Sequence, residues 1–210
     1  MGTYSKSNFG KISGKVGEGV ASNWRKIKVL KSLPEKSKKP IPVSRLAVNA
    51  KFALSAAQLS PIKDLLNLGF GDKKLGKLTG YNAAVRAFLN EAIIGDYPDF
   101  GVDYSKIRMS KGSLIQADVS IVVQNDIVLS WPADLNSMSS FADDRMMFVI
   151  YNQNRNSYLV NDASTRSDLS ITIPFRGRPN DVLHVWSFCT LRDQKAVSSS
   201  VYVGTVTIPV

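Results

Sequence analysis

His184 and Cys189 are the only histidine and the only cysteine in the chain, so any cysteine-histidine nucleophile pair or zinc site has to start from them. They lie five positions apart in the alternating apolar stretch Val182 to Cys189, which reads as a β-strand. An odd spacing on a strand places two side chains on opposite faces, so neither chemistry follows. Asp96, Asp99 and Asp103, with Asp143 and Asp144 further on, supply the oxygen atoms that calcium prefers, but in no loop spacing that gathers them around one point. Beside glycine and proline, such aspartates are expected to cap helices and close turns.

Gly71-Asp-Lys-Lys-Leu-Gly76-Lys77-Leu78-Thr79 comes within one residue of a phosphate-binding loop. Leu78 stands where the magnesium-binding hydroxyl belongs, and the segment follows a helical pattern where the motif needs a strand. It reads as an interhelical loop. Gly14-Lys-Val-Gly17-Glu-Gly19 has neither the spacing nor the strand-helix-strand setting of a dinucleotide site. No nucleophile-elbow serine is present. The sequence therefore predicts no catalytic residue, no metal and no cofactor, and a protein that is not an enzyme.

Charge carries the stronger signal. Residues 1–50 hold eleven lysines and arginines against Glu18 and Glu35, residues 51–100 hold six against five, and residues 101–210 balance at ten each. Nearly all of the net charge of +10 thus belongs to the first quarter of the chain. Two partners fit such a segment. Lys11, Lys15, Arg25, Lys31, Lys36, Lys38, Lys39 and Arg45, interleaved with Tyr4, Phe9 and Trp24, have the cations and rings of a nucleic-acid or other polyanion surface. Alternatively the segment is an assembly arm, with Gly14, Gly17, Trp24, Lys26 and Lys28 as contacts, because glycine permits close backbone approach and tryptophan gives a large anchor. The second partner class is a further copy of the chain or another structural subunit.

A single cysteine rules out an intramolecular disulfide. The polar opening from Met1 to Phe9 lacks the apolar core of a signal peptide, and no run reaches the length of a membrane span. The expected location is cytoplasmic as synthesised, with incorporation into a particle or release left open.

The elements that must position these residues fall into three segments: 1–42, 43–100 and 101–210. Glycines at 10, 14, 17 and 19, followed by the alternation at Ile27 and Val29, predict a basic hairpin with its turn at Ala21 to Asn23. Pro34 to Pro42 has linker composition. Ser44 offers an N-cap for a helix to Leu59 with Val48, Phe52 and Ala56 as one stripe and Lys51 and Gln58 away from it. Pro61 starts a second helix that Gly69 stops, and Asn82 to Ile94 forms a third. Beyond Pro98 the period becomes two. Seven strands are expected: Val119 to Val123, Ile127 to Trp131, Met146 to Tyr151, Ser157 to Val160, Leu169 to Ile173, Val182 to Cys189 and Ser199 to Ile208. The fold class is α+β and mainly β, with a seven-stranded antiparallel sandwich at the C-terminus.

Leu129-Ser130-Trp131, Phe148-Val149-Ile150-Tyr151, Leu169 to Ile173 and Leu183 to Phe188 follow in the order of landmarks in a fibronectin type III or immunoglobulin-like domain, which this half resembles. Gly10-Lys-Ile-Ser-Gly14-Lys-Val-Gly17, Trp24-Arg-Lys, Arg45, Lys51-Phe52, Tyr81-Asn-Ala-Ala and Tyr97-Pro-Asp-Phe together resemble an uncharacterised family of about this length in Bacteroidota. Similar openings occur beside phage-like structural genes. That resemblance implies no catalytic residue. The expected function is a non-enzymatic structural protein that self-associates or joins a particle or filament through its N-terminal segment. Polyanion binding by the basic arm is the alternative, and a carbohydrate-binding sandwich using Trp131, Tyr158 or Trp186 is a third reading.

Overall fold

In the computed structural model, the proline-bracketed stretch ends at Pro42 and helix begins at the next residue. The structure describes residues 2–3, 12–24, 27–35, 40–71, 78–123, 126–133, 135, 140–174 and 178–208, with the side chains of Thr3 and Trp24 outside that description. The chain divides after Pro42 into two compact units, 1–42 and 43–210.

The first unit is a four-stranded antiparallel sheet rather than a single hairpin. Its strands are β1 (Gly2–Thr3), β2 (Gly14–Val16), β3 (Gly19–Trp24) and β4 (Ile27–Ser32), in the order β1-β4-β3-β2. The turn expected at Ala21 to Asn23 lies inside β3 instead. The chain reverses at Gly17-Glu18, a two-residue loop between the paired residues Val16 and Gly19. Gly17 has φ +58° at the first loop position, where glycine is the residue that makes such a tight reversal without strain.

The second unit opens with α1 (Val43–Leu59), a 3-10 turn at Ser60–Ile62, α2 (Lys63–Gly69) and α3 (Gly80–Glu91). Thr79 caps α3 by accepting from the Asn82 amide at 3.2 Å. A two-residue pair, β5 (Ile93–Ile94) with β6 (Gly101–Val102), and a 3-10 turn at Tyr104–Lys106 lead out of the helices.

Among the described residues, seven strands follow in two antiparallel sheets. β7 (Ser120–Val123), β8 (Ile127–Ser130) and β11 (Ser170–Ile173) form one, in the order β11-β8-β7. β9 (Arg145–Asn152), β10 (Ser157–Thr165), β12 (Val182–Thr190) and β13 (Val201–Thr207) form the other, in the order β10-β9-β12-β13. The fold is thus α+β and mainly β, with more elements than the periodicity predicts: the N-terminal sheet, the β5–β6 pair and the 3-10 turns are added.

The two central strands explain the layering. Side chains alternate across a strand, and β9 and β12 are apolar at both parities. Met146, Phe148 and Ile150, with Leu183, Val185 and Cys189, pack against Ile127 and Leu129 of β8 and Ile173 of β11. Met147, Val149 and Tyr151, with Trp186 and Phe188, pack on the other side against Leu59, Leu66, Ala84 and Phe88 of the helical segment. The four-stranded sheet is therefore the middle of three layers, and the helices share one core with it. Burying each such side chain contributes roughly 1.5–3 kcal/mol relative to leaving it exposed.

Helix α1 meets this core with its C-terminal turn and not along the length of the expected stripe. Ser55, Gln58 and Leu59 are buried, whereas Val48 and Phe52 are each 51% exposed and Ala56 is also exposed. The reason is the surface beneath. Gln58 donates to the Tyr151 hydroxyl at 3.3 Å and accepts from the Tyr158 hydroxyl at 3.3 Å, so a polar helix face meets the hydroxyl ends of two tyrosines.

Candidate functional site

The N-terminal sheet is where the charge and the candidate contacts lie. Residues 1–42 carry ten lysines and arginines against two glutamates. Lys15 pairs with Val20, and Val20 with Lys31, so the two lysines flank Val20 on one face and both are exposed. Lys28 follows the other parity of β4 and is half-buried on the opposite face. Lys28 therefore does not share a face with Lys15 and Lys31. Lys11, Arg25, Lys26, Lys36, Lys38 and Lys39 lie outside the described residues, and Trp24 is placed by its backbone alone. Arg45 belongs to the second unit, exposed in the first turn of α1.

Gly14 and Gly17 have φ +100° and +58°, and a side-chain carbon at either would meet nothing within 4 Å. Within the chain, glycine there serves backbone conformation rather than close packing. The same sheet exposes large apolar residues: Val16, Ile27, Leu30 and, just beyond β4, Leu33. Ala21, opposite Leu30, and Val29, opposite Ser22, are buried on the two different faces of the sheet.

The titratable residues of the second unit are arranged differently. β12 places His184 with Trp186 and Phe188 on the helix side and Cys189 on the other. The His184 ring stacks on Tyr104 with centroids 4.0 Å apart. Its Nε2 lies 3.1 Å from Gln153 Oε1, an atom that only accepts, so Nε2 carries the proton. Nδ1 is then the acceptor for the Tyr202 hydroxyl at 2.8 Å, with Thr205 Oγ1 at 3.2 Å. Burial holds the His184 pKa below its ordinary value. Burial pushes Tyr104 up to about 12 and also raises Tyr158. Tyr202 also borders a surface groove with Glu91, Ser105, Arg108 and Ser200. Both cations at this end are paired, Arg108 Nε with Glu91 at 2.7 Å and Lys106 Nζ with Asp103 at 3.0 Å.

On the far face, Cys189 is fully buried, and burial raises its thiol pKa. Its neighbourhood contains a feature that periodicity missed. Arg166 and Asp144, both with fully buried side chains, pair at 3.5 Å between Nε and Oδ2. Arg166 Nη2 donates to the Ile115 carbonyl at 2.6 Å, and its own carbonyl accepts from the Trp131 indole at 2.9 Å. Sequence reading ends the strand at Val160 and takes the following polar residues as a loop. β10 instead continues to Thr165, through an irregularity between Asn161 and Ser164, and delivers Arg166 to the interior. The available signal was Thr165-x-x-Asp168, a capping box in which each residue bonds the other's backbone.

Asp103 caps the Tyr104–Lys106 turn by accepting from the Ser105 amide at 3.2 Å, and Asp144 holds Arg166. Among the described residues no three or more histidine, cysteine, aspartate or glutamate side chains gather as a metal would require. The phosphate-loop-like segment connects α2 to α3, with 72–77 outside the described residues. Trp131 and Trp186 are core residues, 4% and 0% exposed, so neither offers a ring face to a sugar. No helix among the described residues is long and apolar enough to cross a membrane.

The chain belongs to a family of unknown function, DUF6266, whose model matches residues 11–204. No curated protein matches it, and no solved structure does.

Proposed function

We propose that this DUF6266 member is a non-enzymatic structural protein that joins copies of itself, or other subunits of a larger particle or filament, through its N-terminal sheet. The observation that carries the reading is the coincidence, on one small compact unit, of the basic surplus with exposed Val16, Ile27, Leu30 and Leu33. Forty-two residues are near the lower limit for a self-sufficient core, and a sheet that leaves these side chains in water gains by covering them against a neighbour. The engagement of both His184 ring nitrogens and the buried thiol of Cys189 support a non-catalytic role.

The second unit is the body in this reading, and its finer identity is a fibronectin type III-like sandwich. The sheets β7-β8-β11 and β10-β9-β12-β13 support it, since they reproduce the A-B-E and C′-C-F-G arrangement, with Trp131 just past the second strand packed 5.4 Å from the Phe148 ring. The helices covering the outer face of the larger sheet are this chain's own addition. A phage-like particle of Bacteroidota is the setting that the opening glycine motif suggests.

The test is the native mass of the full chain beside a Val16→Ser/Leu30→Ser variant, since both side chains are solvent-exposed and buried Ala21 and Val29 are left unchanged. Dissociation of the variant supports the reading, and unchanged assembly removes it. A second reading, polyanion binding, is favoured by Lys15 and Lys31 exposed on one face. It requires that a Lys15→Glu/Lys31→Glu chain lose affinity for single-stranded nucleic acid and that wild-type binding weaken steeply with salt.

A further inference from the structure

The Tyr97-Pro98-Asp99-Phe100 motif lies outside both hydrophobic cores. β5 and β6 pair through Ile93 with Val102 and Ile94 with Gly101, so residues 95–100 form the loop of a two-residue hairpin. Ile94 and the loop residues as far as Asp99 are exposed, Ile94 at 49% and Tyr97 at 40%. Lys51 Nζ covers the half-buried Phe100 ring from 4.9 Å, and Tyr97, with its centroid 6.4 Å from that of Phe100, is the ring left open. Glu91 and Asp103, on either side of the hairpin, are paired with Arg108 and Lys106. Asp96 and Asp99 have no ion-pair partner among the described residues. The hairpin tip therefore presents an aromatic ring and an isoleucine beside two unpaired carboxylates.

We propose that this hairpin tip receives the N-terminal sheet of a neighbouring copy, in a head-to-tail contact. The inference rests on the assembly reading above and names the surface that the sheet meets. Charge and spacing select the occupant. The strands on either side of β3 carry exposed Lys15 and Lys31 across half-buried Val20, and Ile27 is exposed on the same face. Two strand spacings set the lysine Cα atoms about 10 Å apart. Asp96 and Asp99, three residues apart, are separated by no more than about 11 Å. Two cations around an apolar centre thus match two carboxylates around an aromatic one, which orients the partners as well as attracting them. The open Tyr97 ring can also take a lysine ammonium, as Phe100 takes Lys51 within the chain. Because the two surfaces differ, each copy offers one and receives the other, and the contact propagates into a ring or a filament. Val16 and Leu30 lie on the other face of the sheet and remain for the apolar part of the assembly.

The test is the native mass of the full chain across a concentration series, with charge reversals on each surface. Asp96→Lys/Asp99→Lys and Lys15→Glu/Lys31→Glu should each raise the concentration needed for assembly tenfold or more. Combining the two in one chain should restore assembly towards wild type, since the charges are then exchanged rather than lost. Tyr97→Ser should weaken assembly with no change of charge. Asp118→Lys, a reversal at an exposed aspartate outside the hairpin, should leave it unaltered. All these positions are exposed, so thermal melts should match wild type. A multimer that persists in the Asp96→Lys/Asp99→Lys chain overturns this contact and leaves the assembly reading in place. So does a combined variant that assembles no better than either reversal alone. A wild-type chain that stays monomeric overturns both. Loss of assembly in the lysine variant alone, together with loss of single-stranded nucleic acid from it, makes a polyanion the occupant of that face and overturns the contact as well.

Discussion

The His184 imidazole lies flat against the Tyr104 ring, 4.0 Å between centroids and 20° between planes, and so ties β12 to the turn that ends the helical segment. The other groups around it, Tyr202, Thr205 and Gln153, are neutral hydrogen-bonding partners. Burial favours the uncharged ring and lowers its pKa in the folded chain below the ordinary 6.5. The unfolded chain therefore takes up the proton first as pH falls. The stability contributed by the neutral ring is complete above pH 6.5 and is lost as pH drops towards the folded pKa, below which it levels off. Urea midpoints measured from pH 8 to pH 5 should decline over this window, and His184→Phe should flatten that part of the curve. A midpoint that rises on acidification would contradict the assignment.

Arg166 and Asp144 lie in the interior between the two sheets, each with a fully buried side chain. Removing one charge leaves the other buried without its partner, which costs about 3–5 kcal/mol. Arg166→Met and Asp144→Asn should each destabilise on that scale by urea denaturation. The double change Arg166→Met/Asp144→Leu should recover a large part of the loss, since an apolar pair of similar volume removes both desolvation penalties. Strict additivity of the two single losses would show that the pair is not coupled.

The connector before β7 is laced to the end of the β12–β13 loop. Leu114 N donates to Val197 O at 3.1 Å, Ser110 Oγ to Ser198 O at 2.8 Å, and Met109 N to Ser200 Oγ at 2.9 Å. Gly112 lies so close that a Cβ there would be driven into the Val197 carbonyl. Gly112→Ala should therefore cost about 2–3 kcal/mol by overpacking. Gly17→Ala has open space and only the strain of its positive φ, so it should cost about 1 kcal/mol. Thermal melts of the two variants check the order, and a Gly17→Ala loss larger than that of Gly112→Ala would refute it.

The C-terminal strands are legible from their period of two and the turn residues between them, but that Met146 to Tyr151 and Val182 to Cys189 are central strands covered on both faces, being apolar at both parities, emerges only from the structure. Alternation and turn residues located their neighbours within a few positions. The face of α1 was not legible. Val48, Phe52 and Ala56 form an apolar stripe, but periodicity identifies the stripe without saying what lies under the helix. Here Tyr151 and Tyr158 offer hydroxyls that Gln58 satisfies. In the first unit the turn expected at Ala21 to Asn23 lies a few residues early, since β3 runs on to Trp24, which pairs with Ile27, and a further hairpin closes at Gly17, where φ is positive. Arg166 was hidden because polar residues after Val160 resemble a loop even where the strand continues through an irregularity. For the candidate contacts, the sequence gives the charge along the chain but not its distribution over the two faces of a sheet. Parity in β2 and β4 separates Lys15 and Lys31 from Lys28.

The most direct test of the account is the mass of the purified full chain by light scattering across a concentration series, beside the compact unit 43–210 alone. The account predicts that the full chain forms a defined multimer, that chains lacking residues 1–42 remain monomers, and that moderate salt does not reverse the assembly because apolar contacts contribute to it. A full chain that stays monomeric at the highest concentration, or a truncated chain that assembles as well as the full one, would contradict it.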